Sequence, residues 1–401
     1  MNNSAWRSFR SAVFKDRLAA SRRTKAPVRC YNRDRLMKHR LWLNCAFVLA
    51  FLRLLSPAPQ DTPGLRYEYR KTAAPHAIHI LEVDPHLLRI EAVRAMSDGV
   101  GRETVSSMAQ RTGAIAAVNA GFFRIGGRYD GEPDGILKIG AQWYSDPAAA
   151  RGAIGWSAGG ETCRIGRLIM KWQLRGRRAT YPVDGINRPR GETEAILYNW
   201  AFHRSSLTDA GGTEFLIARN RVARITRDGN AAIPADGFVY SLGPQAPVKT
   251  AELQPNTPVR VSYELVAAGE PPAAGKPGWQ AMDYIVGGMP TLLLERRIVF
   301  EADQEKARAG FAEELHPRTA VGLRADGTWI FVVVDGRQPG LSIGMNLKEV
   351  TELMQSLGCV DALNLDGGGS STLCVLGKVV NSPSDAARER PVSDAIIVRR
   401  K

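Results

Sequence analysis

The sequence predicts a mixed α/β fold of the α+β kind: a single strand-rich catalytic domain with few helices. Three observations carry that expectation. Short apolar stretches recur throughout the chain, separated by Gly, Pro and Asp. Only one segment shows a full set of helix start and stop signals. No repeat of solenoid type is present. At 401 residues, 44% hydrophobic and 23% charged, the composition is that of an ordinary globular protein and excludes disordered, collagen-like and coiled-coil chains.

The net charge of +14 is concentrated at one end. Residues 1–58 hold 13 Lys and Arg against 2 Asp and Glu, a charge of +11, which leaves +3 for the rest. A nearly neutral body offers no nucleic-acid footprint. The run Leu41–Leu55 is apolar apart from Arg53, follows Lys38-His39-Arg40 and precedes Ser56-Pro57-Ala58. It is short for a span, which needs about 20 residues. This is the pattern of a secretory signal opening at Met37, or of an uncleaved N-terminal anchor. The expected organisation is an upstream extension 1–36, a signal or anchor 37–58, a linker 59–75 and a domain 76–401, exported to the periplasm or beyond. Any membrane contact would run through the N-terminal segment alone.

Cys30 and Cys45 lie in the leader. Cys163, Cys359 and Cys374 remain, with Cys359–Cys374 the better candidate bridge and three reduced thiols the alternative. The His residues are scattered, and no cluster with metal-ligand spacing occurs. No cofactor is expected, although a divalent cation on a carboxylate stays open.

Strands are expected at Ala77–Val83 and Leu87–Val93, a short helix at Thr104–Thr112 ended by Gly113, and a strand at Ala114–Val118. Further strands are expected at 135–144, 164–174, 214–226, 237–242, 258–266 and 291–300, with 267–278 an exposed loop. Val321–Leu323 and Trp329–Val334 flank the turn signal Ala325-Asp326-Gly327. The clear helix begins at Asn346, with Glu349 as capping-box partner and Gly358 at its end. Leu347, Val350, Leu353, Met354 and Leu357 share one face and belong to the core.

The segment with the strongest chemical signal is 359–376. A strand at Ala362–Leu365 runs into Asp366-Gly367-Gly368-Gly369-Ser370-Ser371, and a second strand follows. Successive glycines allow positive φ and close approach, and successive N–H groups form an anion nest. The serines add donors. The Lys-Ser/Thr of a P-loop is missing. A tight glycine hairpin is the plain alternative. Asp335, at the end of the Ile330–Val334 strand with Arg337 two residues on, is a second strand-end carboxylate, or simply a turn Asp-Gly. His316 and Arg318 precede a strand. Asn119, followed by Ala120-Gly121-Phe122-Phe123, could orient a sugar hydroxyl. Asp134, in Glu132-Pro133-Asp134-Gly135, and Asn364 complete the substrate-binding set.

Seven segments occur in order: Asn119–Phe123, Pro133–Ile136, Gly185–Arg190, Pro317–Leu323, Val334–Arg337, Asn364–Ser371 and Pro391–Ile396. Together they resemble the phosphodiester glycosidase family over roughly 90–401. Ala120 stands where many relatives have Gly. The resemblance implies an α/β fold and exo-acting cleavage of a sugar–phosphate diester, without fixing the substrate; envelope or exopolysaccharide glycans are the expected setting.

Chemistry fits that implication. Ordinary glycosidases use two carboxylates, one to protonate the leaving oxygen. A phosphate monoester, with its second pKa about 6, leaves as an anion without strong acid help. Such a site must cradle phosphate, through Gly367–Ser371, Arg318 and Arg337, and stabilise oxocarbenium charge, through Asp366 or Asp335 as nucleophile or as base for water. The competing readings are a phosphodiesterase or phosphotransferase cutting P–O, and a non-catalytic polysaccharide-binding module.

Overall fold

The Ala77–Val83 strand has a buried side chain at nearly every position, and so does Trp329–Val334 beside it. Such strands belong at the centre of a sheet covered on both faces. The computed structural model describes residues 62–401 except 98, 269–277 and 301. The extension, the signal or anchor, Cys30 and Cys45 lie outside the described residues. Residues 61–401 make one unit.

The described residues contain 24 strands in four sheets and only two α-helices. The first sheet runs Leu65–Lys71, Ala77–Val83, Trp329–Val334, Arg318–Arg324, Cys359–Asn364, Thr291–Leu294 and Arg297–Ile298. The second runs Lys378–Val379, Leu373–Val375, Ala116–Asn119, Asp394–Arg400 and Leu88–Arg94. The third is built around the long Cys163–Arg175 strand, and the fourth around Gly237–Leu242. Every pairing is antiparallel except that of Gly185–Ile186 with Ala195–Asn199. The fold is therefore mostly β. The expected α/β class overstates the helices, which do not serve as crossovers between parallel strands.

The two helices form where expected. Thr104 accepts from Ser107 N at the start of Val105–Thr112, and Gly113 closes it at φ 65°. Asn346 and Glu349 complete a capping box on Leu347–Ser356. This helix buries Leu347, Val350 and Met354 against Ile330, Val332 and Ala362 of the first sheet.

Several expected strands are hairpins. The stretch 214–226 divides into Thr213–Ala218 and Arg221–Thr226 because Arg219 and Asn220 take positive φ, the backbone of a two-residue hairpin turn. Thr291–Leu294 and Arg297–Ile298 turn in the same way at Glu295 and Arg296. Residues 59–75 are not simply a linker, since Leu65–Lys71 is the edge strand of the first sheet. Its exposed charges suit an edge, which is why it reads as linker in sequence.

The disulfide expectation is also corrected. Cys359 and Cys374 are free thiols and sit in different core clusters. Burial pushes their thiols up to about 12 and about 11 respectively, so both are inert packing groups.

Candidate active site

The glycine loop lies where the chain leaves the first sheet and enters the second. Cys359–Asn364 ends in the first and Leu373–Val375 begins in the second. Leu365 N still donates to Thr319 O at 2.8 Å, whereas Asp366 N donates to Ala120 O at 2.9 Å. Asp366 is thus the residue at which backbone pairing changes partner.

Asn119 fixes that crossing. It is fully buried, its Nδ2 donates to Asp366 O at 2.6 Å, and its Oδ1 accepts from Thr319 Oγ1 at 2.9 Å and Thr372 N at 3.1 Å. Both ends of the loop hang on one side chain. This corrects the expectation that Asn119 meets a sugar hydroxyl. Asn364 likewise donates inward, to Met289 O and Leu365 O, while its buried Oδ1 has no partner.

The anion nest is corrected too. Gly367 N donates to Asp366 Oδ1, Gly368 N to Pro317 O, Ser370 N to Gly367 O and Ser371 N to Gly368 O. Gly368–Ser370 is a 3-10 turn. These four N–H groups are engaged by the protein, not held open for an anion. Ser371 Oγ accepts from Thr319. Ser370 Oγ is also buried, and it lies close enough to Asp366 to favour its ionised form.

Positive charge reaches the loop through side chains. A Cβ placed on Gly368 would stand 3.2 Å from Arg337 Nη2 and 3.4 Å from Nη1. A Cβ on Gly369 would overlap the Arg390 guanidinium, with its Cζ at 2.6 Å. The glycines are there because two guanidinium groups pack onto them, and Gly368 also sits at φ 61°. Arg390 Nε donates to Asp385 at 2.7 Å. Arg337 Nη2 donates to His316 Nδ1 at 3.2 Å. Because a guanidinium cannot accept, His316 carries its proton on Nε2 and donates to Glu314 at 2.6 Å. Burial and the neighbouring arginines lower the His316 pKa. Glu314 is pulled down to about 2, chiefly by Arg308. His316 therefore orients Arg337.

Arg318 does not join them. Its Nε donates to Met345 O and its Nη2 to Phe311 O and Glu314 O, and it stacks over Phe311 with Cζ 5.0 Å from the ring centroid. Burial lowers its pKa to about 10. The expected phosphate ligand is a buried strut that holds 311–314 and 345 against the sheet.

The carboxylates separate in the same way. Asp335 is 2% exposed. It accepts from His79 Nε2 at 3.1 Å, Asn381 Nδ2 at 3.0 Å and Ser382 N at 2.9 Å. A carboxylate so enclosed fastens 381–382 to the first sheet, and its expected catalytic role is corrected to positioning. Asp134 is exposed, 3.5 Å from Arg151 Nη1.

Asp366 is half-buried and closely surrounded by protein. Desolvation raises its pKa to about 7, against the pull of Ser370, Arg390 and Gly367 N and with a push from Asp394. Asp394 itself is buried, accepting from Gly121 N at 2.7 Å and Ser393 Oγ at 2.7 Å, with Arg94 3.8 Å away. Arg390 and Asp394 were not among the sequence-predicted site residues, although Asp394 lies in the Pro391–Ile396 segment and Arg390 directly precedes it. Among the described residues no group of three His, Cys, Asp or Glu side chains is arranged to hold a metal ion.

Residues 212–399 match the phosphodiester glycosidase family. An uncharacterized SPbeta prophage-derived protein of Bacillus subtilis (strain 168) is 45% identical over 83 residues, 21% of this chain and 13% of that protein. The N-acetylglucosamine-1-phosphodiester alpha-N-acetylglucosaminidase of Mus musculus is 34% identical over 89 residues, 22% of this chain. The match covers 17% of the mouse enzyme. A solved structure from Burkholderia pseudomallei, catalogued as an exported protein, superposes with a TM-score of 0.70 at 27% identity, covering 82% of this chain and 74% of that one. Among the described residues no helix is long and apolar enough to cross a membrane. By the order of its motifs and the match over 212–399, the chain resembles the phosphodiester glycosidases.

Proposed function

We propose that this chain hydrolyses the glycosidic C1–O bond of a sugar-1-phosphodiester at the non-reducing end of an envelope or exopolysaccharide glycan, releasing free sugar and a phosphomonoester. One observation carries the reading: a carboxyl poised near 7, Asp366, sits on a loop whose next glycines are covered by the Arg337 and Arg390 guanidinium groups. Phosphate binds between the two arginines, which can each present paired donors. The sugar C1 then faces Asp366. The phosphomonoester departs as an anion, and its charge is met by groups already in place.

Asp366 acts as the carboxylate, either on C1 or by taking a proton from the attacking water. A base with its pKa near the working pH combines adequate ionisation with adequate basicity. Asp394 is buried beside it and raises that basicity. Ser370 Oγ, buried beside Asp366, favours its ionised form. Asn119, His316, Arg318 and Asp335 hold these groups in place. A relative catalogued as exported supports the expectation of export.

The test is product analysis on an N-acetylglucosamine-1-phosphodiester. Free sugar and a phosphomonoester are expected. Sugar-1-phosphate with a released alcohol would replace this reading by P–O cleavage, and no turnover on any sugar phosphodiester would leave a binding module.

A further inference from the structure

A cleft of about 940 Å³ contains none of the residues just described. It opens between the third and fourth sheets and falls within the range of small-ligand sites. Three indoles line it: Trp143 and Trp172 at its wall, both nearly buried and packed edge to face at 6.2 Å, and Trp200 at its lip, 58% exposed. An open indole beside two nearly buried ones suits a ligand with an apolar face.

The charges on the cleft point to the ligand's sign. Arg175, Arg177 and Arg260 line it, all exposed and none in an ion pair among the described residues. Asp236, the acidic residue of the lining, is already matched by Arg219 at 3.3 Å. Moreover, Arg175 and Arg260 stand directly opposite each other across the antiparallel Cys163–Arg175 and Arg260–Ala267 strands. Like charges in that position repel and cost stability, so a pair without a counter-ion is an arrangement that an anion relieves.

We propose that this cleft binds a stretch of anionic polysaccharide, with a pyranose face stacked on Trp200 and acidic groups paired with Arg175 and Arg260. The Gln142 amide, whose Nε2 donates to Trp143 O, presents its Oε1 at the wall as an acceptor for a sugar hydroxyl. The body's charge of only +3 disfavours a nucleic acid as the occupant. The cleft would anchor a polymer on which the distant loop works, but its binding does not depend on the glycosidase reading.

The test is calorimetric titration of the full chain and of its Asp366→Asn variant with polygalacturonate, neutral dextran and a single-stranded oligonucleotide. Polygalacturonate is expected to bind both proteins alike, at least about tenfold more tightly than dextran, and more weakly as salt rises. Trp200→Ala, and separately Arg175→Gln with Arg260→Gln, should each weaken it at least about tenfold. All these side chains are exposed, so Trp200→Ala should leave the melting temperature unchanged and the double arginine variant should leave it unchanged or raise it by relieving the like-charge pair; a melting temperature that does not fall is the folding control. Equal binding of dextran, tighter binding of the oligonucleotide, or polygalacturonate binding indifferent to both variants would each overturn the proposal. Failure of turnover with binding intact would count against the catalytic reading alone.

Discussion

Arg337 lies against Gly368, with Nη2 3.2 Å from the place where a Cβ would stand. The loop glycine is thus the floor on which a guanidinium rests, not an opening that exposes backbone N–H groups. Gly368→Val would strain a backbone at φ 61° and push Arg337 aside. Turnover should fall at least about 100-fold while the β-rich circular dichroism spectrum survives, since displacements near 1 Å at a reacting centre cost this much. Loss of folding together with activity would reduce the loop to a structural hairpin.

Arg337→Gln and Arg390→Gln should act on binding. Each removes a charged contact to the phosphate, so KM for a sugar phosphodiester should rise by about tenfold or more, with a smaller change in kcat. Arg318→Lys should not share this signature, because Arg318 holds three backbone carbonyls. Its effect should appear as a lower melting temperature. Steady-state kinetics beside thermal melts separates the two classes.

Asp335→Ala removes the acceptor for His79, Asn381 and Ser382 in a buried site. A loss of about 3 kcal/mol in unfolding free energy is expected from leaving such partners unmatched. Activity measured well below the melt should persist. A variant with wild-type stability and no turnover would return Asp335 to the chemistry.

The raised pKa of Asp366 has a consequence for stability. The unfolded carboxyl titrates near its ordinary value of 3.8 and the folded one at about 7. The folded state therefore binds the extra proton between these values, and this group's contribution is fully present below the lower one and lost as pH rises through the higher. Glu132, raised to about 8 by burial, acts in the same direction. Asp366→Asn should accordingly raise the melting temperature at pH 8 relative to wild type and change it little at pH 4. For catalysis the sign is opposite: kcat/KM of the wild type should climb as pH rises through 7, where Asp366 ionises.

Much of this arrangement is legible in the chain. The capping box at Asn346 and Glu349, the glycine stop at Gly113 and the Asp366–Ser371 loop are local signals, and the structure contains each. What is not legible is direction. Arg318 and Arg337 read alike, as cations beside strands, but the first points back under residues 311–314 and the second out over Gly368. Asp335 and Asp366 are both strand-end carboxylates, separated only by partners brought from His79 and Asn381, far away in sequence. Arg390 reaches the loop through tertiary packing, so no spacing rule near the glycines points to it. The edge strand Leu65–Lys71 was obscured by its own charges, and hairpins such as 219–220 by turn residues other than glycine.

The central claim is that water attacks the sugar carbon and that Asp366 serves that step. The most direct measurement is turnover of an N-acetylglucosamine-1-phosphodiester in ¹⁸O-enriched water, read by mass spectrometry of both products, for the wild type and for Asp366→Asn with and without chelator. The account predicts label in the free sugar and none in the phosphomonoester, no effect of chelator on the wild type, and a fall in kcat on the order of 10³-fold for Asp366→Asn with KM little changed. Label in the phosphate, or an Asp366→Asn enzyme that turns over at a near-normal rate, would contradict it.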